Sequence, residues 1–186
     1  MNKDDGILSI AEFYYSKDNP GSEFYKYSLG GWFYSSEFEE IKNPLESGRE
    51  NSGFYAFAER QLYFENTVDS QGLAAFTRLG FANSSYNQLE SYFGIGTVYT
   101  GLIPGRDEDL IGLALAKANN GQDYIDSIKN SGGEVDNSEI NLELVYDTGI
   151  LPWLRLQFDM QYVINPGTNP DLKNALALGM RFAIDF

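Results

Sequence analysis

Ala175-Leu176-Ala177-Leu178-Gly179-Met180-Arg181-Phe182-Ala183-Ile184-Asp185-Phe186 is the stretch that decides the fold class. Leu176, Leu178, Met180, Phe182, Ile184 and Phe186 take every second place, and Ala175, Ala177, Gly179, Arg181, Ala183 and Asp185 lie between them. Successive strand side chains point to opposite faces, so the segment reads as a strand with one apolar face and one small or charged face. A helix would scatter the same residues around its circumference. An apolar face closed by an aromatic residue, backed by a small and charged one, is the pattern of a strand with lipid on one side and water on the other.

The segment upstream follows the same rule: Leu154, Leu156, Phe158, Met160, Tyr162 and Ile164 alternate with Arg155, Gln157, Asp159, Gln161 and Val163. Ile140, Leu142, Leu144 and Tyr146 alternate with Glu139, Asn141, Glu143 and Asp147. Further strands are predicted over Leu110–Lys117, Gln88–Leu102, Leu73–Ala82, Gly53–Phe64, Phe24–Tyr34 and Gly6–Tyr15, about nine in all. The connections fall into two alternating classes. Those at Ser16–Ser22, Glu65–Gln71, Leu102–Asp109 and Thr148–Pro152 are short, whereas those at Ser35–Ser52, Asn83–Asn87, Ala118–Ser138 and Asn165–Leu172 include two much longer ones. Outer-membrane barrels alternate tight periplasmic turns with extended external loops.

Composition agrees with strands. The 186 residues include 13 Tyr, 13 Phe and 19 Gly, a density that favours strands and turns over helices. No apolar run reaches the roughly 18 residues of a spanning helix, but a barrel strand crosses with about 9–11. With no Cys there are no disulfides or thiolate metal sites, and with no His there is no Ser/His or Cys/His nucleophile pair. A His-dependent enzyme is excluded, and the chain is not expected to be an enzyme or to need a cofactor. Thirteen Lys and Arg against 27 Asp and Glu, a formal charge of −14, argue against a nucleic-acid partner. The acidic loops, Glu37, Glu39, Glu40, Glu46 and Glu50 in one and Asp123, Asp126, Glu134, Asp136 and Glu139 in the other, match no defined calcium loop. They read as solvated surface, with no metal site.

Strand parity sets Glu59, Arg78, Glu143, Arg155, Asp159 and Arg181 opposite the apolar face, as candidate lumen-facing residues. There they either hydrogen-bond passing solutes and set selectivity, or pair with one another as a solvated wall. Tyr92, Phe93, Tyr99, Trp153 and Tyr162 form either a stacking track or part of the interfacial aromatic girdles.

Tyr99-Thr100-Gly101-Leu102-Ile103-Pro104-Gly105-Arg106 resembles a segment of the carbohydrate-selective, OprB-like porins. Ala75-Phe76-Thr77-Arg78-Leu79-Gly80 upstream, and Leu151-Pro152-Trp153-Leu154, Gln157-Phe158-Asp159-Met160-Gln161-Tyr162, Asn165-Pro166-Gly167 and Leu178-Gly179-Met180-Arg181-Phe182 downstream, extend the resemblance in order. It implies an all-β, antiparallel transmembrane barrel. This chain would be the C-terminal portion of a 16-stranded porin, one domain over residues 1–186, truncated at its N-terminus. It also implies passive diffusion of sugars or other small polar solutes, outer-membrane lipid and lipopolysaccharide as neighbours, a homotrimer, and the outer membrane of a Gram-negative-type bacterium. Two alternatives remain open on the residues alone. One is a soluble β-sandwich carbohydrate-binding module whose apolar face is an internal core; the other is a small structural outer-membrane barrel.

Overall fold

The computed structural model describes residues 6–17, 24–48, 51–65 and 71–185. Strands β1 (Leu8–Lys17), β2 (Tyr25–Tyr34), β5 (Asn51–Phe64), β6 (Gly72–Ala82), β7 (Leu89–Thr100), β8 (Leu110–Asn120), β9 (Ser138–Leu151), β10 (Leu154–Ile164) and β11 (Ala175–Ile184) form one nine-stranded sheet. Each strand pairs antiparallel with its neighbour in that order, so the sheet is a meander. The short strands β3 (Phe38–Glu39) and β4 (Ser47–Gly48) make a separate hairpin inside the connection from β2 to β5. Helix α1 (Gln122–Asn130) fills the connection from β8 to β9. Phe186, Glu50, residues 1–5 and the middles of the connections at 18–23 and 66–70 lie outside the described residues.

Nine sheet strands agree with the sequence reading, and the differences lie at their ends. The strand expected over Glu139–Asp147 runs from Ser138 to Leu151, and β8 continues to Asn120. Both extensions carry polar residues whose backbone groups are satisfied by the neighbouring strand, which periodicity cannot register. The long loops also carry order that alternation does not report. Helix α1 has Asp123 in its first turn and Lys129 in its last, complementing its dipole, and it buries Ile125. It stops where Gly132 takes a left-handed φ of +80° and the Gly133 amide bonds the Ile128 carbonyl at 3.0 Å.

Ile125 is the one apolar residue that is buried among the described residues. No second layer covers either face of the nine-stranded sheet, and on one face Phe13 is 80% exposed and Leu178 75%. A soluble sandwich buries such a face against a second sheet about 10 Å away. Here the apolar side chains stand open across the sheet, an arrangement that suits hydrocarbon and not water. The sandwich alternative therefore fails on its defining feature. No helix among the described residues is long and apolar enough to cross a membrane, which has no bearing on crossing by strands.

Candidate functional site

Directly paired residues of an antiparallel sheet share a face, so register alone sorts the side chains. One row runs Lys26, Glu59, Phe76, Gly96, Ala114, Glu143, Gln161 and Ala177 across β2 to β11. The row two residues away runs Ser28, Phe57, Arg78, Gly94, Ala116, Asn141, Val163 and Ala175. In the other direction, Leu110, Asp147, Gln157 and Arg181 share a row, and Arg155 lies on the same face of β10. Glu59, Arg78, Glu143, Arg155, Asp159 and Arg181 therefore occupy one face, together with Glu12, Lys26, Asp147 and the amides Asn141, Gln157 and Gln161. The opposite face carries Phe54, Leu79, Phe93, Ile95, Leu113, Leu144, Phe158, Met160, Leu178, Met180 and Phe182. Its cations are Lys17 and Arg60, on either side of Tyr25, and Lys117 between Phe93 and Ile140. They lie in the outer part of their strands, where a long side chain reaches the membrane surface.

The polar face is a mixture of mutual pairing and open valence. Arg155 binds Asp147 through both Nε, at 2.9 Å, and a terminal nitrogen. Gln157 Nε2 donates to Asp159 at 2.8 Å, and Gln161 Nε2 to Glu143 Oε1 at 2.9 Å. The Arg78 guanidinium lies over two rings, 5.4 Å from the centroid of Phe57 and 5.3 Å from that of Phe76. The Lys26 ammonium is also over the Phe57 ring, 5.9 Å from its centroid. Six predicted residues thus share a face but form no single cluster: Arg78 and Glu59 stand on the β5–β6 side, the other four on β9 to β11.

Glycines set how the rings lie. A Cβ at Gly96 would sit 2.6 Å from the Phe76 ring, and one at Gly94 would sit 2.9 Å from the Tyr92 hydroxyl. With hydrogen in place of Cβ, each ring lies down over the neighbouring backbone instead of standing away from the wall. Of the aromatic residues singled out in the sequence, Tyr92 belongs to this face, whereas Phe93, Tyr99 and Tyr162 lie on the apolar face.

Two features at the strand ends escaped the sequence reading. At the end with the tight turns, Asp109 is 5% exposed and accepts from the Tyr146 hydroxyl at 2.5 Å, from Thr148 Oγ1 at 2.8 Å and from Arg106 at 3.3 Å. Arg106 also donates to Thr148 Oγ1 at 2.7 Å. Burial pushes the Asp109 carboxyl up, but the two hydroxyls and the Arg106 charge together hold it below the usual aspartate range. No isolated motif marks the set, because Tyr146 and Thr148 lie 37 to 42 positions from Asp109 and Arg106 in the chain. At the opposite end the long connections bind one another. Lys42 reaches Asp126 of α1 at 3.0 Å and Asp123 at 3.8 Å, Ser85 donates to Asp123 at 3.2 Å, and Asn120 donates to Thr168 at 2.8 Å. The bonds from Lys42 and Gln122 lower the Asp126 carboxyl, and the same pairing raises Lys42. Among the described residues, no three carboxylates converge as a metal site.

The comparisons with known proteins agree with this architecture. The family described as carbohydrate-selective porin, OprB family, matches residues 1–186. Porin B of Pseudomonas aeruginosa is 27% identical over 157 residues, which cover 77% of this chain and 35% of that protein. Two solved structures of Pseudomonas putida OprB share 22% identity. The high-pH structure superposes with a TM-score of 0.88 over 98% of this chain and 49% of its own, and the low-pH structure with 0.67 over 99% and 48%. The chain thus spans about half the length of those structures and about a third of Porin B.

Proposed function

Because the chain belongs to the OprB family of carbohydrate-selective porins, we propose that it supplies part of the wall of a pore through which sugars and other small polar solutes diffuse down their gradients. Its place is the outer membrane of a Gram-negative bacterium. Porins are channels and not enzymes, and no catalytic step is invoked: solutes pass by exchanging hydrogen bonds with water for hydrogen bonds with the wall.

The observation that carries this reading is the sorting of side chains by register. Every one of the six charged candidates, Glu59, Arg78, Glu143, Arg155, Asp159 and Arg181, shares the face that also holds the Asn and Gln amides. The apolar face has no protein layer over it. Charges toward a water-filled lumen cost little, whereas on the lipid face each Arg or Lys would cost roughly 2–4 kcal/mol at the midplane. In this reading residues 1–186 act as one barrel domain, with lipid and lipopolysaccharide against the apolar face and trimerisation through part of the same face. The sheet is open at β1 and β11, and each edge needs an antiparallel partner strand to exist in a bilayer.

The test is liposome swelling with the protein reconstituted from its outer membrane. Swelling in isotonic glucose, with an impermeant polysaccharide as the reference, supports the pore. Vesicles that behave as protein-free ones, with the protein inserted, overturn it.

A further inference from the structure

Of the cations on the apolar face, Lys17 and Arg60 stand together and Lys117 stands apart. Lys17 on β1, Tyr25 on β2 and Arg60 on β5 occupy one register row at the end with the tight turns. Two strand spacings, about 9–10 Å, separate the outer backbones, so a long side chain from either side reaches the space over Tyr25. Tyrosines surround that space. Tyr15 and Tyr27, both exposed, fill the next row; the Tyr15 and Tyr25 rings lie 5.4 Å apart, and those of Tyr25 and Tyr27 stack at 5.7 Å. The Tyr25 hydroxyl donates to that of Tyr15 at 3.1 Å, which leaves the Tyr15 hydrogen to donate outward. No carboxylate among the described residues pairs with Lys17. Arg60 and Tyr25 have further contacts within the protein, and the five N–H donors of a guanidinium are not exhausted by one partner.

Deeper on the same face the wall dips. A groove of about 740 Å³ runs over Ala11 and Gly31, a directly paired couple, between the side chains of Phe13, Leu29, Phe33 and Phe54. A Cβ on Gly31 would meet nothing nearer than the Gly53 carbonyl at 3.4 Å, so no side chain lies over the floor. From the Lys17 row to the Ala11 row is six residues, about 20 Å along the strand. At a tilt near 45° that is about 14 Å of depth, against roughly 15 Å for the hydrocarbon of one leaflet. Cations and tyrosines therefore stand at headgroup depth, and the groove at the depth of the acyl chains.

We propose that this part of the wall is a seat for one anionic phosphoglyceride of the leaflet at the tight-turn end. Its phosphate oxygens accept from Lys17, Arg60 and the Tyr15 hydroxyl, and one acyl chain lies along the groove over Ala11 and Gly31. The charge selects the headgroup: a lipid of net negative charge satisfies two cations, whereas a zwitterionic one brings its own ammonium beside them. The proposal rests on the placement of the apolar face against lipid and is independent of which solute crosses the pore.

The experiment is native mass spectrometry of the protein released from its outer membrane into detergent micelles carrying equal amounts of dioleoylphosphatidylglycerol and dioleoylphosphatidylethanolamine. The unaltered protein should keep phosphatidylglycerol in several-fold excess. Lys17→Gln and Arg60→Gln should each lower its retention roughly fivefold, while Lys117→Gln, which removes the cation at the opposite strand end, should leave it unchanged. Gly31→Leu, which fills the groove, should weaken retention of both lipids. Equal retention of the two lipids by the unaltered protein, or an undiminished preference in the Lys17→Gln, Arg60→Gln double variant, would overturn the seat. So would an assembly that takes up phosphatidylglycerol only on dissociating, since a second copy of the chain would then cover this face. None of these outcomes touches conductance, so failure here leaves the pore reading standing.

Discussion

Replacing Asp109 by asparagine tests whether the tight-turn end is held by a buried charge. The carboxylate is 5% exposed and accepts from Tyr146, Thr148 and Arg106. Bonds to a charged group contribute roughly 1.5–3 kcal/mol each, and an amide keeps one acceptor oxygen while presenting an NH₂ to two groups that need an acceptor. The expected net loss is about 2–4 kcal/mol, less than the sum because Arg106 can fall back on Thr148, which it already contacts. The assay is urea unfolding of the folded protein in detergent micelles, followed by tryptophan fluorescence. The midpoint should fall with little change in slope, and a cycle with Tyr146→Phe should show coupling of at least about 1 kcal/mol. The pH dependence has a definite sign. A carboxyl lowered on folding contributes fully above its unfolded pKa of about 3.9 and loses that contribution as pH falls through its lower folded value. The unaltered protein should therefore lose stability below about pH 4, and Asp109→Asn should lack that part of the slope. A midpoint shift under about 0.5 kcal/mol, or additive behaviour in the cycle, would refute the charge-centred account.

Further outcomes follow from the same register and contacts. Leu178→Arg and Ala177→Arg place one charge on adjacent residues of β11 that face opposite ways; in bilayer refolding the first should cost roughly 2–4 kcal/mol and the second close to nothing, and equal costs would contradict the assignment of faces. Lys42→Ala should leave the unfolding midpoint nearly unchanged but raise hydrogen exchange across residues 36–48 and in α1, because it removes the exposed tie to Asp126 and Asp123. The tie should survive mild acid, since Asp126 stays charged below the usual aspartate range, so exchange that is already fast at pH 5 would contradict it. Arg155→Gln should loosen the β9–β10 turn, seen as faster exchange at Asp147–Leu151, by removing the two bonds to Asp147.

How far the sequence reaches differs between the wall and its details. Alternation in β9, β10 and β11 is interrupted only by Val145, Val163 and the last residues of β9, so their faces could be assigned from Leu178, Phe158 or Leu144. All six charged candidates proved to share one face because parity is a local property: each side chain's direction is fixed by its neighbours on the same strand. Which of them stand near one another was not legible. Arg78 lies against Phe57, 21 positions earlier, only because β5 and β6 pair in the register that puts those two opposite.

Glycine spacing gave a faint hint that only pairing could resolve. Gly94 and Gly96 mark one face of β7, but that Phe76 lies down over Gly96 follows from β6 being the partner strand.

By itself the sequence determined the nine strands of the sheet, the two faces, the alternation of connections and the absence of His and Cys chemistry. These depend on side-chain period and composition, which no partner alters. Tertiary structure alone decided the Asp109 cluster and the ties between the long loops. Each brings together residues at least 37 positions apart, and the distance between such residues is set by strand register and loop packing, which local pattern does not encode.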